Sequence, residues 1–542
     1  MTEYDEEFLI CVYFKGKGIY MKRIKAFIVE NKLFSLFFLG MAVYYAVSMF
    51  AIKPWYDELY TYYSFISRGP VYAAIHWPVP NNHVFYSVLS AFLDYLGNPY
   101  IGLRGVSFLM SCANMLLLYQ FAKKFLNRFF SAGVVFLYVA VWQVNNLSVQ
   151  GRGYTLAATC YLLALLSLFK ICKEQARRGD YILYALSLTG GLYTLVSSTF
   201  WVIPVCITGG ITLLFTKKYK TLWKLIAASV VAAGLTVLLY AVIWLAIGSN
   251  LMSKDPSGIY YGIYQVKIIL KTPFEALRTG MEYMLATPYI QGDERSYIVK
   301  ELFHYLTGVF NLFYAGFGAA LVVILAIGGA LAIVSACFSR KKDETSWFFH
   351  VYLAVSTVIV PVMLVIQSVQ PYYRVFSFLA VPVSLMLVWL LKHLVERIFR
   401  FSEGEMVIAG KYCCLLLLGF AMFELCGSSY HSQYAERETE IADIFRGHTE
   451  NLQTCFPVDD YQKYVLKFYY DREPAEVTVT DAQCILIPKE IYDETKEIPQ
   501  WPTLYGYGAV DTVYIKDHFT QLLHLRTTTN QHRAIFLLQI RQ

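Results

Sequence analysis

The chain has 542 residues, 57% of them hydrophobic and only 16% charged, and a formal net charge of +7; its mean hydropathy is +0.45. That balance excludes a water-soluble enzyme with a single anchor, since soluble domains carry about 25% charged residues. The positive excess sits in short clusters between apolar runs, where it needs no nucleic-acid partner.

Acidic residues precede the first basic stretch, KGKGIYMKRIK, and Met21-Lys22-Arg23 reads as an alternative start. Residues 1–32 are expected to be a cytoplasmic segment. The apolar run 33–52 is long enough to cross a bilayer and lacks the small-residue pattern of a cleaved signal. An acidic pair, Asp57-Glu58, follows at once in KPWYDELYTYYSF. Residues 83–97 are expected to form a short surface helix. Uncharged runs then recur at 105–122, 129–151, 153–169, 181–216, 225–253, 305–339, 351–373 and 375–391. The run 181–216 suits two short spans hinged near Ser197-Ser198-Thr199. With a last run at 412–427, these predict about eleven crossings within a transmembrane domain of residues 33–428.

Basic clusters mark the cytoplasmic ends of spans. They occur before residue 33, at Lys123-Lys124 with Arg128, from Lys170 to Arg178, at Lys217-Lys218 with Lys220, at Arg340-Lys341-Lys342 and from Lys392 to Arg400. With 83–97 on the surface, all of them fall on one side. The opposite, outer side then receives the loops 53–100 and 249–312, the segments around Arg104, Arg152 and Arg374, and the tail. The outer loop 249–312 is expected to hold one or two interfacial helices rich in Tyr, as in GIYYGIYQ. In the tail, 429–542, charges return: AERETEIADIF has helical period, while VTVTDAQCILIP and AIFLLQI read as strands, which predicts a small α/β domain. Cys455 and Cys484 lie there and are available to pair in an oxidising compartment. No CxxC or His/Cys cluster suggests zinc.

Three arginines at outer span ends, beside carboxylates, imply an anionic ligand. If that ligand is a sugar on a lipid phosphate, transfer needs a base near the attacking hydroxyl and positive charge on the departing phosphate. Asp57 supplies the base, with Glu58 and His83 nearby. Arg152 and Arg374 hold the phosphate through paired guanidinium hydrogen bonds, with Arg104 and Tyr154 beside them. Lys267 and Lys271 in the long loop are further phosphate candidates. The sequence requires no cofactor; a divalent cation is compatible with Asp57, although its ligand set is unknown.

The stretches WYDE, NNHVFY, GLRGVS, QGRGYTLAA and PYYRVFSFLAVP, spread over residues 55–382, resemble the GT-C superfamily of glycosyltransferases. Within it they most resemble the protein O-mannosyltransferase and lipid A aminoarabinose transferase branch. Two departures stand out: the commoner His-Pro-Pro is Asn82-His83-Val84 here, and the commoner Arg-Tyr order is Tyr373-Arg374. The tail matches no part of that pattern. The resemblance implies a polytopic α-helical fold and a polyprenyl-phosphate-linked sugar donor. It further implies inverting transfer to a glycan, lipid or protein acceptor at the outer face of a bacterial inner membrane, with Asp57 as base or metal-binding acid. A lipid-linked oligosaccharide polymerase or ligase is a second reading, in which a large later loop carries the chemistry. A transporter or flippase is a third. It expects ionisable groups deep in the spans, where only Glu424 stands in apolar sequence.

Overall fold

A computed structural model of the chain describes residues 25–77, 82–253, 263–286, 292–340, 343–399 and 403–427, and parts of 454–540. Two compact units divide at Tyr44 and Tyr45. In the first, Phe34 stacks on Phe38 and meets Phe27 edge-on.

Helices in chain order are α1 (Lys32–Ala51), α2 (Tyr56–Ser64), α3 (Pro70–Ile75), α4 (Val84–Asp94), α5 (Pro99–Ala122), α6 (Arg128–Ala140), α7 (Trp142–Leu147), α8 (Tyr154–Cys172) and α9 (Arg178–Thr194). They continue with α10 (Thr199–Phe215), α11 (Tyr219–Ser253), α12 (Ile263–Lys271), α13 (Pro273–Ala286), α14 (Arg295–Asn311), α15 (Gly318–Ser339), α16 (Glu344–Gln367), α17 (Ala380–Phe399) and α18 (Glu403–Gly427). A 3-10 segment, Tyr373–Leu379, leads into α17.

Among the described residues, nine helical segments are long and apolar enough to cross a membrane, against the eleven crossings expected. The two differences lie at two short helices. Run 129–151 breaks into α6 and α7, and the first half of 181–216 is the 17-residue α9, which the 3-10 turn Val196–Ser198 ends at the expected hinge. At 1.5 Å per residue, the 13 residues of α6 reach only about 20 Å. α6 tolerates this because α5, α17 and α18 sheathe it, burying every residue from Phe130 to Ala140. α4 has 11 residues, about 16 Å along its axis, and is too short to cross.

Two of the basic clusters, at Lys170–Arg178 and at Lys217–Lys220, meet at one end of the bundle. Lys170 pairs with Asp180 at 3.1 Å, and Lys218 pairs with Glu344 at 2.9 Å and donates to the Cys172 carbonyl at 3.1 Å. Lys173 donates to Thr345 at 3.1 Å. The end of α8 and the starts of α9, α11 and α16 are thereby tied together. Arg104 and Lys123 stand 19 residues apart on and just past α5, about 28 Å along a helix axis, so the arginine lies near the opposite end.

Loop 249–312 holds three helices, α12, α13 and α14, more than the one or two expected. In the tail, four strands, β1 (Cys455–Pro457), β2 (Cys484–Pro488), β3 (Phe519–Leu525) and β4 (Ile535–Ile540), form one mixed sheet in the order β1-β2-β4-β3. The helix α19 (Thr512–His518) precedes β3. Both strands expected from sequence are present; the expected helix in AERETEIADIF lies outside the described residues. β1 and β2 run parallel with Cys455 opposite Cys484, and the hydrogen bond between these thiols, with burial, pushes the Cys455 thiol up. Elsewhere in the tail, Tyr464 stacks on Tyr63 at 5.4 Å and Phe468 meets Tyr100 edge-on at 5.1 Å, so these two residues rest on α2 and on the start of α5.

Candidate functional site

α2 opens at Asp57-Glu58, and the two acids have different surroundings. Glu58, third in the helix, reaches back so that the Trp55 N–H donates to its Oε2 at 3.1 Å, which satisfies one orphan amide of the first turn. Arg104 binds it with both arms, Nε to Oε1 at 2.7 Å and Nη2 to Oε2 at 2.9 Å. The Gly151 N–H adds a third contact at 2.6 Å. Arg104 also donates from Nη1 to the Met49 and Ile52 carbonyls, at 2.9 and 2.5 Å, placing a cation on the C-terminal carbonyls of α1. Both side chains are fully buried. Glu58 and Arg104 therefore staple α1, α2, α5 and the Gly151 loop together, and their charges answer each other.

Asp57 faces a different set. Its Oδ2 pairs with Arg374 Nη1 at 2.8 Å, and both side chains keep some exposure, 13% and 25%. The Arg374 guanidinium also lies over the rings of Trp55 and Tyr372. One helical turn past Asp57, Thr61 donates to the Asp57 carbonyl at 2.7 Å and accepts from Arg152 Nη1 at 2.7 Å. Arg152 Nη2 stands 3.1 Å from His83 Nε2. Four segments far apart in sequence thus converge: Asp57 with Thr61, His83, Arg152 and Arg374.

Both ring nitrogens of His83 face an N–H group. The Gly153 backbone N–H donates to its Nδ1 at 2.8 Å, so that nitrogen bears no proton. Burial, then Arg152 and Arg374, holds the imidazole pKa well below its ordinary value of 6.5, so the ring is neutral near pH 7. A neutral ring with a bare Nδ1 carries its hydrogen on Nε2. Nε2–H and the Arg152 guanidinium then present two donors side by side, an arrangement suited to an anionic oxygen. Asn82 positions the ring: its amide donates to the Ala73 and His76 carbonyls at 2.9 and 3.0 Å and accepts from Ser87 at 2.8 Å. Tyr154, at the start of α8, is buried and meets His83 edge-on at 5.2 Å.

At Gly151 and Gly153 neighbouring side chains occupy the space that a side chain would take. A Cβ on Gly151 would lie 2.3 Å from Leu103 Cδ1, and one on Gly153 would lie 2.5 Å from Thr194 Cγ2 and 3.1 Å from His83 Cβ. Both glycines exist for close packing behind the site. Lys267 and Lys271 are exposed on α12, which packs against α11 and α13; among the described residues no hydrogen bond or ion pair joins them to the Asp57 cluster. Thr61 was legible only in retrospect, through its i+4 spacing from Asp57.

A hard cation fits these donors poorly. The carboxylate in the cluster is Asp57, already against a guanidinium, and among the described residues no three His, Cys, Asp or Glu side chains group to hold a metal. The donors that converge are those of an anion site.

No protein-family profile matches the chain, and no curated protein matches it. Solved structures do. The Archaeoglobus fulgidus oligosaccharyltransferase tethered with an acceptor peptide is similar at TM-score 0.48 and 11% identity, covering 94% of this chain and 74% of that one. ArnT from Cupriavidus metallidurans, solved bound to undecaprenyl phosphate, is similar at TM-score 0.46 and 12% identity, covering 94% and 98%. Against the apo form of the archaeal enzyme the values are 0.44 and 12%, and the chain spans only 58% of that protein's length. At these identities and scores the likeness says nothing of chemistry, which rests on the side chains.

Proposed function

We propose that the protein is an integral-membrane glycosyltransferase that moves a sugar from a polyprenyl-phosphate donor to an acceptor hydroxyl at the outer membrane face, with inversion. The observation that carries this reading is the 2.8 Å pair of Asp57 and Arg374, with Arg152 and the neutral His83 beside it.

In the resting site Arg374 neutralises Asp57. An arriving phosphate anion competes for that guanidinium, takes a second from Arg152 and accepts from His83 Nε2–H, leaving the Asp57 carboxylate free to accept a proton. The acceptor oxygen then attacks the anomeric carbon, its proton passing to Asp57. The bond from that carbon to the phosphate oxygen breaks, and its electron pair stays on the departing polyprenyl phosphate, held by Arg152 and Arg374. No general acid is needed for a leaving group already anionic. Glu58 and Arg104 act as positioning residues, fixing the start of α2.

The test is release of polyprenyl phosphate from a panel of polyprenyl-phosphate sugars by the purified protein in lipid, compared with Asp57→Asn. The expected loss is about 100- to 10,000-fold, the range for removing a general base. Equal release by both proteins would exclude Asp57 as the base.

A further inference from the structure

Just before the Arg152 loop, α7 carries three amides in six residues, Gln143, Asn145 and Asn146 of WQVNNL. It packs against α8 and against the 3-10 segment that bears Arg374. Its start is fixed by two backbone bonds, Trp142 N–H to the Phe313 carbonyl and Gln143 N–H to the Leu312 carbonyl, both 3.0 Å.

Gln143 is 6% exposed and Asn145 3%, yet neither side-chain oxygen accepts a hydrogen bond, and nor does that of Asn146. Two other buried amides, Asn114 and Asn82, are used at both ends. Asn114 donates to the Thr155 carbonyl at 3.0 Å and accepts from Thr159 at 2.7 Å, and Asn82 is similarly engaged. Buried polar groups are nearly always paired, and an unpaired one is costly. Three such oxygens on one short helix, beside the segments that supply Arg152 and Arg374, match a ligand that brings its own donors.

Resting on the function proposed above, we infer that Gln143 and Asn145 form a subsite for hydroxyl groups of the donor's sugar. An amide offers an acceptor and two donors, which matches hydroxyls that both donate and accept. α7 bears no charged side chain. The sugar class it suits is an uncharged, hydroxyl-rich hexose, in preference to a uronate or a phosphorylated sugar.

The test uses the full-length protein in lipid nanodiscs, with Asn145→Leu and Gln143→Met, which keep shape and remove the amide. Three ligands are compared: polyprenyl phosphate, its hexosyl derivative and its deoxyhexosyl derivative. The variants should bind the bare phosphate as wild type does and bind the hexosyl donor about ten-fold more weakly. They should also lose the wild-type preference for hexosyl over deoxyhexosyl donor, while their thermal midpoints do not fall, because the deleted oxygens have no protein partner. Unchanged hexosyl binding overturns the subsite. So does a defect confined to the acceptor's KM, which would assign these hydroxyls to the acceptor. If wild type does not bind polyprenyl phosphate, it is the phosphate reading of Arg152 and Arg374 that fails. The subsite is then tested with a methyl hexoside alone: loss of binding in Asn145→Leu supports it, and no binding by wild type overturns it.

Discussion

Glu58 and Arg104 form a two-armed ion pair, 2.7 and 2.9 Å, with no exposure to solvent, while Asp57, one residue away, faces a cluster of cations that keeps some access. A helix rotates about 100° per residue, so neighbouring carboxylates at a helix start enter different environments. Here one carboxylate holds the framework and the other keeps some exposure beside Arg374.

Removing one partner of the inner pair should be severe. Arg104→Leu leaves Glu58 buried with its charge uncompensated, and the expected loss is about 3–5 kcal/mol, because a buried ion without its counter-ion retains its full desolvation cost. The double variant Glu58→Leu with Arg104→Leu should recover part of it. Thermal unfolding in lipid reads both; a single variant as stable as wild type would contradict the staple.

Arg374→Lys keeps the charge but loses the planar fork. Polyprenyl phosphate affinity should fall about ten-fold, and Arg374→Ala should lower it further. Equilibrium binding in nanodiscs measures this, and an unchanged dissociation constant for Arg374→Ala would remove that residue from the phosphate site.

Stability should decline with acid in a way that His83 and His76 share. Burial first, with neighbouring arginines, depresses both pKa values, His76 to about 4 and His83 well below 6.5. Below the unfolded value of 6.5, the unfolded chain takes up protons that the folded one refuses. The stability contributed by neutral rings is therefore complete above that pH and is lost as pH falls through the folded values. His83→Gln should flatten the dependence of the thermal midpoint between about pH 6.5 and about pH 4, leaving the slope due to His76. An identical slope in wild type and variant would count against a depressed His83.

Gly153→Ala tests the packing behind His83. The backbone there, φ −73°, accepts alanine, so the penalty is purely steric: the new Cβ meets Thr194 Cγ2 at 2.5 Å. Overpacking of this kind costs about 1–3 kcal/mol. Thr194→Ser, which deletes that methyl and keeps the hydroxyl, should restore much of the loss in the double variant. Failure of the second change to help would mean that another contact decides.

Much of the fold was legible in the sequence because crossing a bilayer requires long uncharged runs, and runs such as 153–169 and 225–253 coincide with α8 and α11. At 129–151 and in the first half of 181–216 the helices, α6 and α9, are shorter than the apolar runs that announced them. Hydropathy cannot tell a lipid-facing span from a short helix sheathed by others, and α6 is the latter. At the site, charge and chain position singled out Asp57, His83, Arg152 and Arg374, but they also grouped Glu58 and Arg104 with them, since spacing carries no information on which carboxylate meets which guanidinium.

The sequence by itself determined that this is a membrane protein of many helices, with basic clusters segregated to alternate span ends, because transfer of side chains between water and hydrocarbon is a local, additive property. Only the tertiary structure decided the partnerships: Arg104 with Glu58, Arg374 with Asp57, Gly153 with Nδ1 of the His83 ring. Each joins segments separated by between 46 and 317 residues. Hydrogen bonds and ion pairs act over a few ångströms in directions that the packed helices alone establish.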